Sequence, residues 1–172
     1  MRNTRWLLYV LCLPWTLTVS YPLVGLLRLL GAAESLEWGK FGVLTATWTE
    51  ATYKRWPYST TLGHAIVFKP HGREDRRIVH HEDVHVRQTE DHMVVGFLLC
   101  LLLSVLGHWA IGLALWWSAG SWLLVGYLTA GIRWGWSQKS MYLGAEHERS
   151  AYAQTDVIQR DTPCSWEEIS VK

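Results

Sequence analysis

Between Met93 and about Trp136 the chain is apolar, broken by His108, Ser118–Ser121 and Arg133. That run is too long for one bilayer crossing, which takes roughly 20 residues, and suits two. A lipid environment leaves backbone groups no water to bond, so such a run forms helices. The Ser118-Ala119-Gly120-Ser121 break is the natural turn of the resulting hairpin, with Gly107-His108 as the alternative. One long buried helix or a soluble helical core is the competing arrangement. Leu98–Leu106 holds no charged side chain, with Ser104 as its only polar one, and this favours the membrane.

A second apolar stretch lies near the N-terminus, from Trp6 to about Leu27, within a segment 6–31 closed by Arg28. Arg2 and Arg5 give it the positive start of a signal peptide, but its core is too long and lacks small residues at its end. It reads as a retained transmembrane helix, kinked at Pro14 and Pro22, with a re-entrant hairpin as the alternative. The 12 Trp residues agree with membrane–water interfaces, where that ring is at home.

Two polar segments separate and follow these runs. In 32–92, Gly42–Trp48 and His64–Lys69 are rich in β-branched and aromatic residues and read as strands. Pro70, His71 and Gly72 end the second, and a helix is expected from Glu74 or Asp75 to Asp91. In 137–172 a helix is expected from Met141 to about Ile158, ended by Thr162-Pro163, with a tail beyond. The whole, 1–172, is expected to be a single membrane-embedded domain. Its class is mostly α, with about three transmembrane helices and a small α+β element ahead of the motif helix. A formal net charge of +1 argues against a nucleic-acid partner. Cys12, Cys100 and Cys164 are odd in number and far apart, and read as free or packed thiols.

The expected helix carries His81-Glu82-Asp83-Val84-His85, an H-E-x-x-H run. Residues four apart share a helix face, so both histidines reach one metal ion while Glu82 lies beside it. Chance produces on the order of 0.02 such runs in a chain of this composition, so context has to support the motif. A peptidase zinc takes three protein ligands and keeps a fourth position for water. The third is sought in Glu146-His147-Glu148-Arg149-Ser150-Ala151-Tyr152, because two crossings between 93 and 136 return the chain to the histidines' side. Glu82 is the expected general base. Tyr142, His147, Arg149 and Tyr152 are candidates for stabilising an oxyanion. His64–Lys69 is a candidate edge for an extended substrate. His80 is expected to face away from the site, and His92 to lie at the membrane boundary. Arg73, Arg76 and Arg77 form a basic patch facing solvent or lipid headgroups.

The order of apolar helix, H-E-x-x-H helix, apolar hairpin and glutamate-bearing helix resembles the integral-membrane zinc peptidases of the CAAX-prenyl endopeptidase and heat-shock membrane protease type. His81-Glu82-x-x-His85-Val86-x-Gln88 followed by Glu148-Arg149-x-Ala151-Tyr152 also looks like a set of small bacterial and phage zincin-like proteins. In gluzincins the third ligand is the Glu of an E-x-x-A-D-like run. The resemblance therefore implies Zn2+ on His81, His85 and Glu148, with Glu146 as the rival ligand. Tyr152 stands where that pattern has an Asp, and a phenol brings no negative charge to a ligand histidine; Asp83 or Asp91 are the possible substitutes. The expectation is a zinc endopeptidase of a bacterial-type inner membrane acting on peptides or membrane proteins, with a catalytically silent zincin-like scaffold as the alternative. The side of the membrane stays open: Arg2 and Arg5 favour a cytoplasmic N-terminus, whereas the many Lys and Arg of 32–92 favour that segment there.

Overall fold

The computed structural model describes residues 2–39 and 42–155. The described chain is mostly helical, with a small four-stranded sheet placed before the longest helix.

Helix α1 (Arg2–Trp15) runs through a π-helical turn, Thr16–Ser20, into α2 (Tyr21–Leu29). Instead of a re-entrant hairpin, Trp6–Leu29 forms one helical run long and apolar enough to cross a membrane. The two prolines explain the π turn. Pro22 has no N–H to give the carbonyl of Thr18, and the ladder widens so that Tyr21 N–H reaches back to Thr16 O. Thr18 Oγ1 donates to the Pro14 carbonyl at 2.5 Å, using a side chain where the ladder is disturbed.

Strands β1 (Ala33–Trp38), β2 (Leu44–Trp48), β3 (Thr60–Leu62) and β4 (Ala65–Phe68) make a mixed sheet in the order β1-β2-β4-β3, with the short helix α3 (Glu50–Tyr53) between β2 and β3. Pairings β1–β2 and β3–β4 are antiparallel, and β2–β4 is parallel. The expected strands became β2 and β4, but β4 is central, so the edge beside the motif helix belongs to β3. Alternation along the strands sends side chains to two cores. Leu44, Ala46, Trp48, Ala65 and Val67 pack with Val24 of α2, and Ile66 and Phe68 pack with Ile78 and Val86 of the next helix.

That helix, α4, runs unbroken over Arg76–Val105, about 45 Å at 1.5 Å per residue. Asp75 caps it by accepting from Arg77 N–H at 2.9 Å. The expected end at Asp91 is therefore corrected: the polar motif and the first apolar crossing share one helix. The charges at Glu90 and Asp91 change its surroundings without supplying a breaker. The reverse turn is likewise corrected to Gly107-His108. Gly107 takes the left-handed conformation (φ 81°), while His108 N–H bonds Leu103 O at 2.7 Å and Gly107 N–H bonds Ser104 O at 3.0 Å. This is a Schellman C-cap, which the Ser118–Ser121 segment does not form. There the chain only bends, by 71°, between α5 (Trp109–Ala119) and α6 (Trp122–Trp134). Gly96 and Gly112 let α4 and α5 close on each other: a Cβ at Gly112 would lie 2.9 Å from the Cys100 backbone.

Among the described residues, two helices are long and apolar enough to cross a membrane, or three if the bent α5–α6 pair is one span. Leu98, Leu102, Val105, Leu124 and Ile132 are exposed along these helices, the surface a lipid environment would cover. Two short helices follow, α7 (Gln138–Gly144) and α8 (Glu146–Thr155), where one was expected; Ala145 turns to an extended conformation between them. The expected tail, Cys164 and the end of the helix at Ile158 lie outside the described residues.

Candidate metal centre

Three elements meet at the polar end of α4: its own His81 and His85, Thr61 of β3, and Glu148 in the first turn of α8. His81 Nε2 and His85 Nε2 lie 3.2 Å apart, and Glu148 Oε2 lies 3.1 and 3.2 Å from them. The three donor atoms thus form a nearly equilateral triangle. A tetrahedral metal with ligands at about 2.0 Å has edges of about 3.3 Å, so one face of such a tetrahedron fits this triangle. A plain hydrogen-bond account fits less well, because both imidazole nitrogens crowd each other as well as the carboxylate oxygen. His, His and Glu form a donor set suited to zinc, and these residues could hold a metal ion. His81, Glu82, His85 and Glu148 are between 1% and 3% exposed.

The remaining polar atoms of the group are oriented by neighbours. His85 Nδ1 donates to Gln88 Oε1 at 2.8 Å, so that in the neutral ring the Nε2 lone pair faces the triangle. Gln88 Nε2 in turn donates to the His147 carbonyl at 3.2 Å, tying α4 to α8. His81 Nδ1 faces Thr155 Oγ1 at the longer distance of 3.5 Å. Tyr152, in the place of the expected acid, lays its ring against His81 at 4.4 Å between centroids. Neither proposed substitute reaches the site: Asp83 pairs with Arg87 at 2.7 Å, and Asp91 is exposed.

Glu82 is buried beside the triangle, and its Oε2 accepts from the Thr61 hydroxyl at 2.6 Å. Burial works against ionisation of Glu148, but His85 and His81 beside it hold its carboxyl well below the usual carboxylate range. Burial pulls the His147 imidazole down to about 4, and it pushes the Tyr142 and Tyr152 phenols up.

No protein-family model, curated protein or solved structure matches this chain. The reading of the site therefore rests on its residues and their arrangement. Glu148 joins the two histidines, whereas the rival Glu146 is exposed and pairs with Arg149 at 3.8 Å. Arg149 is exposed too, whereas the other oxyanion candidates, Tyr142, His147 and Tyr152, are buried. His80 is exposed, as expected. His92 stacks on Trp122 at 4.4 Å and donates from Nδ1 to the Gln88 carbonyl. Arg73 is drawn from the basic patch to β1, pairing with Glu37 at 2.8 Å.

Two contributors to the site, and one buried pair apart from it, escaped the sequence. Thr61 sits in a strand too short and polar to be recognised. Tyr127, in α6, donates its hydroxyl to Glu148 Oε1. His64 and Glu90 form a separate buried pair at 3.1 Å, to which Thr16 Oγ1 adds a contact at His64 Nδ1. The only available signal for Tyr127 and Glu90 was a polar group inside or beside an apolar run.

Proposed function

We propose that the chain is a membrane-bound zinc metallopeptidase of inner-membrane type, hydrolysing peptide bonds in membrane-associated peptides or proteins. The observation that supports this most is the buried triangle of His81, His85 and Glu148 donors with the Glu82 carboxylate beside it. Zinc on those three residues would lower the pKa of a bound water toward about 7 and polarise a scissile carbonyl. Glu82 takes up the proton at its carboxylate and returns it to the leaving amine. The Thr61 hydroxyl fixes Glu82 Oε2, which sets the direction in which the carboxylate works. Gln88 keeps His85 in the tautomer that a metal ligand requires. The apolar half of α4 holds the site beside a bilayer, which favours substrates presented there.

One observation favours a second reading, a zinc-binding scaffold without catalysis: all four polar residues are closed off from solvent. Zinc content and peptide hydrolysis, measured for the parent, Glu82→Gln and His85→Ala, separate the two. The peptidase reading expects a zinc-bound active parent, a zinc-bound inactive Glu82→Gln protein and a zinc-free inactive His85→Ala protein. Hydrolysis that survives Glu82→Gln would sink the catalytic assignment, and zinc without hydrolysis in the parent supports the scaffold.

A further inference from the structure

We propose that Gly126 and Tyr127 of α6 form the receptor that holds the third metal ligand, with Tyr127 the positioning residue for Glu148. This rests on the metal reading of His81, His85 and Glu148, and is independent of whether the site cleaves peptides.

Glu148 has two carboxylate oxygens with different surroundings. Oε2 faces both histidines, at 3.1 and 3.2 Å. Oε1 faces away from them and accepts from the Tyr127 hydroxyl. A carboxylate with 1% exposure has no solvent to orient it, so that one phenol decides which oxygen is presented. With Oε1 occupied, Glu148 offers a metal a single oxygen, and the fourth position stays available.

The neighbouring residue makes the approach of α8 possible. A Cβ on Gly126 would lie 2.3 Å from His147 Nδ1 and 2.6 Å from Cε1, so the imidazole rests directly against the backbone of α6. His147 is 4% exposed, and among the described residues neither of its ring nitrogens has a hydrogen-bond partner. Its Nε2 lies 3.8 Å from Glu148 Oε1, beyond bonding reach, so it does not substitute for Tyr127. The ring fills space while the phenol bonds: His147 sits on Gly126, and Glu148 bonds Tyr127. A glycine and a tyrosine in a membrane-type helix thereby place a ligand carried by another helix.

The test uses the full chain in detergent or nanodiscs, with zinc affinity measured by chelator competition and the visible spectrum recorded for the Co2+-loaded protein. Tyr127→Phe keeps the ring and removes the hydroxyl. It is expected to weaken zinc binding by about 10- to 100-fold, the range for loss of an outer-shell partner. It is also expected to shift the Co2+ bands from a four-coordinate pattern toward the weaker bands of a higher coordination number, as Glu148 becomes free to bind through both oxygens. Tyr53→Phe, which removes a phenol packed on the α2 side of the sheet and outside the site, should change neither readout. Gly126→Ala should also weaken zinc binding, and Gly126→Ala/His147→Ala should recover it. Parental zinc affinity and an unchanged Co2+ spectrum in Tyr127→Phe would overturn the inference alone, as would an equal loss in Tyr53→Phe. A parent that binds neither ion would overturn it together with the metal reading.

Discussion

Among the described residues, histidine is buried against carboxylate in two places, and the two are built differently. At the end of α4, two histidines and Glu148 bring three atoms within 3.1–3.2 Å of one another. Nearer the apolar half, His64 Nε2 meets Glu90 Oε1 at 3.1 Å while Thr16 Oγ1 faces His64 Nδ1, with both His64 and Glu90 almost fully buried. The second is complete as a hydrogen-bonded pair, which joins the β3–β4 turn to α4 next to the leading helix. The first has more donors than a hydrogen-bond pattern uses well, and that excess distinguishes a candidate metal centre from a structural clasp. His147 is a third case, a buried imidazole with no hydrogen bond on either nitrogen among the described residues, its Nε2 standing 3.8 Å from Glu148.

The comparison breaks first if His85→Ala retains zinc. Loss of a ligand should abolish stoichiometric zinc in the purified protein, a larger effect than the roughly 100-fold ceiling for outer-shell changes. His64→Ala should instead leave zinc content intact and destabilise the fold by about 3–5 kcal/mol, because the buried Glu90 loses its imidazole partner. Unfolding in detergent with zinc analysis on the same samples would show it, and a loss of zinc there would erase the distinction between the two clusters.

A smaller effect belongs to His147. Its folded pKa of about 4 lies below the ordinary 6.5, so the unfolded chain binds the extra proton first. The stability it contributes is full above about pH 6.5 and falls as pH drops toward 4, by about 3 kcal/mol in all. Metal-free parent and His147→Phe, unfolded across that range, should differ in slope; parallel curves would contradict the depressed imidazole. The smallest change is expected for Gln88→Ala, about tenfold in zinc affinity through the freed His85 Nδ1. Chelator competition measures it, and an unchanged affinity would show that Gln88 only ties α4 to α8.

Much of this was legible in the chain because its signals are local. The long apolar runs, the His81–His85 spacing and the hydrophobic strands β2 and β4 are each written within a few neighbouring residues. What escaped depends on competition or distance. Ser118–Ser121 and Gly107-His108 both look like turns, and a left-handed glycine with two cap bonds prevailed over a polar bend. The charges at Glu90 and Asp91 looked like a helix boundary, but a change of composition without Pro or a capping Gly leaves the ladder intact. β1 hides because five of its six residues face solvent and show no hydrophobic alternation. Tyr127 meets Glu148 across a separation of 21 residues, with no periodicity to announce the contact.

The continuity of α4 makes it a measuring rod. His85 precedes His92, where the apolar half begins, by seven residues, about 10 Å along the axis. Once that half is seated in a bilayer, the height of the histidines above the hydrocarbon is fixed by backbone geometry. On the proposed peptidase reading, a bond brought to the site comes at that elevation, so distance from the membrane becomes a selection rule in its own right. One inserted residue would raise the site by about 1.5 Å and swing it about 100° around the axis, whereas seven would lift it two turns with its bearing nearly kept.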